Sequence, residues 1–209
     1  MFEIKKFETR ALFACSVYVI KSEKGNFIVD PGYYDDKIAS YINSIGGIDF
    51  ILITHGHFDH IVGINSLIKD YPNATIYAFK DEIEVINDPR KNCSYLYDGS
   101  RLTIEKDIEP LDEGNMKLAN HDVRIIHTPG HTKGGVVYIF DEDKAVFLGD
   151  TIIGESIGRY DLPTASENKL YQSLDKIKKL NIPTDYKAYF GHGEPYTFEK
   201  LYRVNIYLK

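Results

Sequence analysis

Three of the chain's seven histidines stand within six consecutive positions, in the stretch THGHFDHIVG (54–63). This stretch contains His55, His57, Asp59 and His60, and it directly follows the apolar run FILI. Imidazole and carboxylate groups are the usual protein ligands of zinc and similar metal ions. A polar loop that only caps a strand end and a helix start is the alternative explanation. A metal site therefore requires further donor residues elsewhere in the chain.

Three such donors stand in loops that follow apolar segments, each next to glycine. They are His131 in TPGHTKGG, Asp150 in FLGDTI and His192 in FGHGEP. Loops on a rigid scaffold often carry functional groups, and flanking glycines let the backbone approach a site closely. Since a two-metal site needs about seven or eight donor contacts, these residues and the opening cluster are enough to build one.

The order and types of these seven residues resemble the metallo-β-lactamase superfamily. Its signature is H-x-H-x-D-H followed by separate His, Asp and His motifs, and its members also carry an early VDPG like that at 29–32. The resemblance covers essentially the full chain. It implies an α/β fold, the four-layer αββα sandwich, formed by a single domain over residues 1–209, with a two-metal site at one edge of the sheets.

The resemblance also implies which residue holds which ion. Two divalent metal ions are expected, and zinc is the preferred candidate. Iron and manganese are alternatives, because histidine and carboxylate ligands suit several metals. Zinc β-lactamases typically carry Cys where Asp150 stands, so penicillin-type substrates are not expected. The implied ligands are His55, His57 and His131 for one ion and Asp59, His60 and His192 for the other, with Asp150 bridging both.

Within the superfamily, the motifs look most like the short glyoxalase II-type, or hydroxyacylglutathione hydrolase-like, enzymes that lack a separate C-terminal helical domain. The stretches THGHFDHIVG, HTPGHTKGG, GDTI, GRYDLP and GHG carry this resemblance. Three residues depart from the usual pattern: Tyr160, Glu194 and Ile206 replace Thr, Pro and Pro. These departures bear on the substrate rather than on the metals.

The activity that this resemblance implies is metal-dependent hydrolysis of a small-molecule thioester or related acyl substrate. Two neighbouring metal ions would lower the pKa of a bridging water toward neutrality, and the resulting hydroxide would attack a carbonyl. Asp59 would orient the hydroxide as well as bind metal. Arg159 is the candidate for holding a substrate carboxylate, with an ion pair to Asp161 as the alternative, and Tyr160 is a second candidate contact.

Two other functions on the same fold stay open at this point. An iron persulfide dioxygenase would use His55, His131 and Asp150 around one Fe(II). A nucleic-acid-processing enzyme is more distant, because the formal net charge is −6 and the basic residues form no block. No nucleic-acid partner is therefore expected.

Cysteine content and hydropathy predict a cytoplasmic protein without a membrane partner. The two cysteines, Cys15 and Cys93, form no C-x-x-C pair, so a disulfide framework is not expected. The longest apolar stretch, ALFACSVYVI, is about half of what spans a bilayer.

The elements that must position the donors alternate between strands and helices. In the first half, strands are predicted for FEIKKFE, FACSVYVIKS, NFIVDPG, IDFILIT and TIYAF. Helices are predicted for YDDKIASYINSIGG, for a segment that begins at His60 and closes at Pro72, and for Asp81–Ile86.

In the second half, turn signals and a few short strands are predicted for 88–120, followed by strands in VRIIHTPG, GGVVYIFD and KAVFLGD. An amphipathic helix follows with Ser166 as its N-cap, then a strand in YKAYFGHG and a helical segment in YTFEKLYRVNIYL. Strands followed by a helix occur twice, which favours two similar halves packed as one domain. The apolar stripe of the amphipathic helix is Leu170, Leu174, Ile177 and Leu180.

Four further residues have less specific predictions. Asp30 either supports a metal-binding histidine or shapes a turn, and His127 lies at a strand end or behind a metal ligand. His121 is interpreted as a turn residue and Cys15 as a core residue of a strand.

Overall fold

Two six-stranded sheets form the frame of the protein. The computed structural model describes residues 1–8 and 15–209. The second predicted strand began at Phe13, and this residue and Ala14 lie outside the described residues.

The first sheet is built from six strands that lie in chain order. The strands are β1 (Glu3–Glu8), β2 (Ser16–Lys21), β3 (Phe27–Val29), β4 (Phe50–Ile53), β5 (Thr75–Phe79) and β6 (Ile108–Leu111). From β1 to β3 the neighbours pair antiparallel, and from β3 to β6 they pair parallel. The parallel strands β4 and β5 are connected through short helices, as parallel pairing requires.

The second half of the chain supplies the second sheet and a small hairpin. The strands are β7 (Gly114–Leu118), β8 (His121–His127), β9 (Val136–Phe140), β10 (Ala145–Gly149), β11 (Ile152–Ile153), β12 (Ser156–Ile157), β13 (Lys187–Phe190) and β14 (Tyr196–Thr197). The sheet order is β14-β13-β10-β9-β8-β7, while β11 and β12 pair with each other. Only the β10–β13 pair of these strands is parallel.

Short helices lie between and after the strands. They are α1 (Asp36–Ser44), α2 (Phe58–Ile61), α3 (Ile64–Asp70), α4 (Ile83–Ile86), α5 (Ser94–Tyr97), α6 (Glu167–Lys179) and α7 (Phe198–Val204), with 3₁₀ turns at Lys80–Glu82 and Ile206–Leu208. Among the described residues, no helix has the length and apolar character needed to cross a bilayer.

The sheets pack face to face, and the helices cover their outer faces. Between the sheets, Phe27 and Phe50 of the first sheet share one buried cluster with Tyr138 and Phe147 of the second. A second cluster joins the outer face of the first sheet to α1 and α3, and a third joins the outer face of the second sheet to α6 and α7. The predicted αββα sandwich is confirmed.

The amphipathic helix α6 shows why this packing is stable. Leu170, Leu174 and Ile177 of the predicted stripe are buried, and Leu180, the C-cap residue, packs against the same cluster. Ser166 is the N-cap residue, as predicted, but its side chain makes no capping hydrogen bond. Packing of the apolar stripe, rather than the cap, therefore fixes this helix.

The helix predicted from His60 to Pro72 is in fact two helices, α2 and α3, interrupted at Gly63. The Gly63 amide donates to the Pro31 carbonyl at 2.9 Å instead of continuing the helical hydrogen bonds. A Cβ atom at this position would lie 2.5 Å from the Tyr33 carbonyl carbon. Close approach of the VDPG turn therefore breaks the helix at a glycine.

Four other sequence expectations need correction. The segment predicted as strands and turns contains the unpredicted helix α5, and the terminal helical segment begins with strand β14. His121 is not a turn residue: it is buried at the start of β8, where its Nε2 donates to the Gly25 carbonyl at 2.9 Å. Cys15 precedes β2 rather than lying within a strand.

Hydrogen bonds between the sheets hold one common edge together. The Val136 amide donates to the Thr54 carbonyl at 3.0 Å, and the Ser16 amide donates to the Gly191 carbonyl at 2.7 Å. The Tyr138 hydroxyl donates to the Ile53 carbonyl at 2.8 Å. The loops after β4, β8, β10 and β13 meet at this edge.

Truncating Leu174 to alanine should destabilise the fold through α6. Because Leu174 is buried against the second sheet, we expect the free energy of unfolding to fall by about 2–5 kcal/mol. Gln172→Ala, on the exposed face of the same helix, should change it by no more than about 0.5 kcal/mol. Denaturant unfolding measures both variants, and equal effects would contradict this packing.

Candidate metal centre

The stretch that follows β4 places three imidazoles in the protein interior. His55, His57 and His60 are 2%, 3% and 0% exposed. His57 is the N-cap residue of α2, and His60 lies within that helix. The strand end and the first turn of the helix therefore bring all three rings to one place.

The three later donors arrive at the same edge from the second sheet. His131 lies in the loop between β8 and β9, Asp150 directly follows β10, and His192 follows β13. The structure thus places all seven predicted ligands around one centre. Candidate ligand atoms lie within 4.8 Å of one another in three groups. Two of them, His55–His57–His131 and Asp59–His60–His192, consist of predicted ligands, and the third, Asp30–His55–His60, shares one histidine with each of these two.

Asp150 lies between these two groups. Its Oδ2 is 3.5 Å from His131 Nε2 and 3.3 Å from His192 Nε2. Its Oδ1 is 3.5 Å from His60 Nε2. One carboxylate therefore faces members of both groups, which is the position a bridging ligand needs.

The donor atoms suit a cation. In the part of the chain that the structure describes, the buried Nε2 atoms of His55 and His60 and the buried Oδ1 of Asp150 have no hydrogen-bond partner. In addition, His57 Nδ1 and His131 Nε2 point at each other across 2.9 Å. Buried polar atoms without partners are costly. Nitrogen and carboxylate donors that converge in this way fit zinc, iron or manganese.

Asp30 and Thr54 orient two of these rings from behind. His60 Nδ1 donates to Asp30 Oδ2 at 3.0 Å, and the Thr54 hydroxyl donates to the same oxygen at 2.6 Å. His55 Nδ1 lies 3.1 Å from the Thr54 hydroxyl. Hydrogen bonds at Nδ1 direct the Nε2 atoms of both rings toward the centre. Asp30 also has a positive φ of 49°, so it supports a histidine and shapes the turn.

His131 is oriented by the main chain. Its Nδ1 donates to the Arg159 carbonyl at 2.7 Å, which leaves Nε2 facing His57 and Asp150. The Arg159 side chain makes two hydrogen bonds of 2.9 Å with the Asp161 carboxylate and is exposed. The structure therefore contains the ion pair, and substrate binding by Arg159 stays a prediction. Tyr160, 42% exposed, also stays a predicted substrate contact.

Electrostatics differ between the two groups. Burial lowers the pKa of His57 to about 3 and lowers the pKa of His55 well below its usual value. Burial opposes protonation of His192 too, but the Asp150 and Asp59 carboxylates together outweigh burial and raise the pKa of His192 to about 11. Burial raises the pKa of Asp150, but His192 and His60 have the larger combined effect and lower this pKa well below its usual value. The rings of the three-histidine group are thus neutral. In the other group, His60 and His192 are protonated and lie next to carboxylates.

Exposure also divides the centre. The side chains of Asp59 and His192 are 14% and 29% exposed, whereas those of the three-histidine group are nearly closed off. Solvent therefore reaches the centre from the Asp59 and His192 side.

Sequence reasoning assigned no role at the centre to several residues near the Asp59–His60–His192 group. Burial and then the Asp59 carboxylate raise the pKa of Cys93 to about 11, and the same two causes raise the pKa of Tyr97. Cys15 Sγ lies 3.9 Å from His60 Nδ1. Because these residues come from segments remote from every motif, no local pattern identified them. His127, the last residue of β8, stacks on Phe79 instead of lining the centre.

Comparison with known proteins identifies the family. The sequence profile of the metallo-beta-lactamase superfamily matches residues 10–192. The chain belongs to this superfamily. Membership and the histidine and aspartate groups together indicate a metal-dependent hydrolase that uses divalent ions, as the sequence predicted.

Individual members of the metallo-beta-lactamase superfamily resemble the chain to different extents. A hydroxyacylglutathione hydrolase of Francisella tularensis subsp. novicida (strain U112) is 33% identical over 177 residues, which are 84% of this chain and 61% of that enzyme. The chain therefore spans only about three fifths of this relative's length.

Two solved structures of the same fold also match. The B3 metallo-beta-lactamase BLEG-1 has a TM-score of 0.88 and 26% identity, covering 99% of this chain and 100% of that one. The protein TTHA1623, solved in a di-iron-bound form, has a TM-score of 0.83 and 27% identity, covering 97% and 99%.

Metal affinity should depend on pH in only one of the two groups. His55 and His57 are already neutral near pH 7, so a metal bound there displaces no proton from them. The raised pKa values of His60 and His192 mean that these rings hold protons which a metal must displace. Raising the pH should therefore strengthen the second binding event about tenfold per pH unit for each proton released.

Chelator competition between about pH 6.5 and 7.5 measures both events. One nearly constant affinity and one that rises with pH are expected. Two affinities that rise equally would contradict the electrostatic difference between the groups.

Proposed function

We propose that the protein is a two-metal hydrolase that cleaves a thioester or related acyl bond in a small molecule, similar to hydroxyacylglutathione hydrolase (glyoxalase II). The observation that carries this proposal is the position of Asp150, whose two oxygens face His60, His131 and His192. A carboxylate at the junction of two donor groups is suited to hold two cations at once. The resemblance to the Francisella hydrolase supports the thioester class.

The two donor groups would hold one ion each. His55, His57 and His131 would bind the buried ion, while Asp59, His60 and His192 would bind the ion nearer to solvent. When bound, such ions supply a nucleophile at neutral pH by lowering the pKa of water, and they polarise a carbonyl oxygen.

The chain's own residues would then position the reactants. Burial raises the pKa of Asp59, but His60 and His192 together outweigh burial and lower the pKa below its usual value, so this carboxyl is ionised at neutral pH. Asp59 lies on the open side, with Oδ2 3.3 Å from His192 Nε2, where it can accept a hydrogen bond from an attacking water. A thioester suits this arrangement because its leaving thiolate, with a parent pKa of about 8.5, needs no strong general acid.

Loss of either carboxylate should abolish hydrolysis. We expect Asp59→Asn and Asp150→Asn to reduce kcat/KM for S-lactoylglutathione by at least about a hundredfold, since each removes charge from the metal centre and Asp59 also orients the nucleophile. Asp185→Asn, which removes an exposed carboxylate paired with Lys144, is the matched control and should retain wild-type activity. Retained activity in Asp59→Asn or Asp150→Asn would contradict the two-metal mechanism.

Other substrates distinguish the alternatives in the same assay. Because a B3 metallo-beta-lactamase is structurally similar, a penicillin should be tested beside the thioester, and faster turnover of the penicillin would contradict the proposal. Oxygen-dependent conversion of glutathione persulfide to sulfite by protein with one iron per chain would instead indicate a dioxygenase that uses His55, His131 and Asp150. Nuclease activity would point to the more distant nucleic-acid-processing function.

A further inference from the structure

Glu82 is a fully buried carboxylate that the metal ligand groups do not include. It ends the 3₁₀ turn that follows β5 and is 0% exposed. It lies in the segment predicted as the helix Asp81–Ile86, in the charged stretch KDEIEV, and glutamate is almost never fully buried unless it is paired. Because burying a charged group is costly unless it is well paired, this position needs an explanation.

The Glu82 carboxylate connects two of the loops that carry metal ligands. Its Oε1 accepts a hydrogen bond from the Gly56 amide at 2.7 Å, and its Oε2 accepts one from the Gly134 amide at 2.6 Å. Gly56 stands between His55 and His57, and Gly134 follows His131 by three residues. One side chain thus links the loop after β4 in the first sheet to the loop between β8 and β9 in the second.

Neither glycine position leaves room for a side chain. A Cβ atom at Gly134 would lie 2.4 Å from the Glu82 amide nitrogen. A Cβ atom at Gly56 would lie 2.8 Å from Ile86 Cγ1 and 3.2 Å from Glu82 Oε1. The two loops therefore approach Glu82 as closely as backbone without side chains allows.

We propose that Glu82 is a positioning residue of the three-histidine metal site. By holding Gly56 and Gly134, it fixes the separation of the two loops and hence the spacing of the ligand nitrogens of His55, His57 and His131. This inference rests on the metal-binding role in the proposed function, but not on the identity of the substrate.

The chemistry of the side chain supports a positioning role. A carboxylate offers acceptors at both oxygens, whereas a glutamine would turn an N–H toward one of the two amides. Burial raises the pKa of Glu82 to about 7, so its ionised form is costly at this position. The two amide hydrogen bonds offset this cost, and they connect the two loops that carry metal ligands.

Glu82→Gln tests this role, with Glu84→Gln as the matched control. Glu84 lies two residues away and is exposed, and its ion pairs with Lys91 and Lys133 reach the same loop from the surface. For Glu82→Gln we expect the affinity of the first zinc ion, measured by chelator competition, to fall about ten- to a hundredfold. Amide exchange of Gly56 or Gly134 in the metal-free protein should become faster. The control should match the wild type in both measurements.

The melting temperature of the metal-free variant separates positioning from simple stabilisation. A folded Glu82→Gln protein with weaker zinc binding supports the proposal. Wild-type zinc affinity, or equal losses in Glu82→Gln and Glu84→Gln, would overturn it. If Glu82→Gln does not fold, Glu82→Asp, which keeps both oxygens but shortens their reach, takes its place with the same expected and contradicting results.

The proposed function can fail without affecting this test. A wild-type protein that binds zinc but cleaves no thioester would refute the hydrolase proposal and leave the zinc comparison intact. A wild-type protein that binds no zinc would refute both proposals.

Discussion

The structure depends on one constraint: donor side chains from two separate sheets must converge at a shared edge. Neither sheet carries a complete donor group with the bridging aspartate. The main-chain hydrogen bonds from Val136 to Thr54 and from Ser16 to Gly191 fix the edge. Aromatic packing between the sheets, such as the stacked rings of Phe27 and Phe140 at 5.4 Å, fixes their separation. The sandwich therefore acts as the rigid support of the centre.

The centre itself is asymmetric, and this asymmetry connects structure to function. Its deep side consists of neutral imidazoles, while its open side consists of Asp59 and the protonated His192. Orienting groups lie behind the rings, as with Asp30 behind His60. Under the proposed function, a cation on the deep side would be held by shape and neutral nitrogen, and the reaction with a small molecule would take place on the side that solvent reaches.

The sequence predicted the donors and the fold class because both are encoded locally. Each donor follows an apolar strand and stands near glycine, and the stripe of α6 repeats with helical spacing. The remaining features depend on contacts between distant segments. Gly63 breaks a helix because Pro31 approaches it, and Glu82 is buried because Gly134 of the other sheet reaches it. Neither the helical pattern around Gly63 nor the charged stretch around Glu82 indicates these contacts with distant segments.

The central claim is that two metal ions bind on either side of Asp150. Anomalous diffraction from crystals of the zinc-loaded protein tests it most directly. The account predicts two anomalous peaks per chain, one among His55, His57 and His131, and the other beside His60 and His192. A single peak, or peaks away from Asp150, would contradict it.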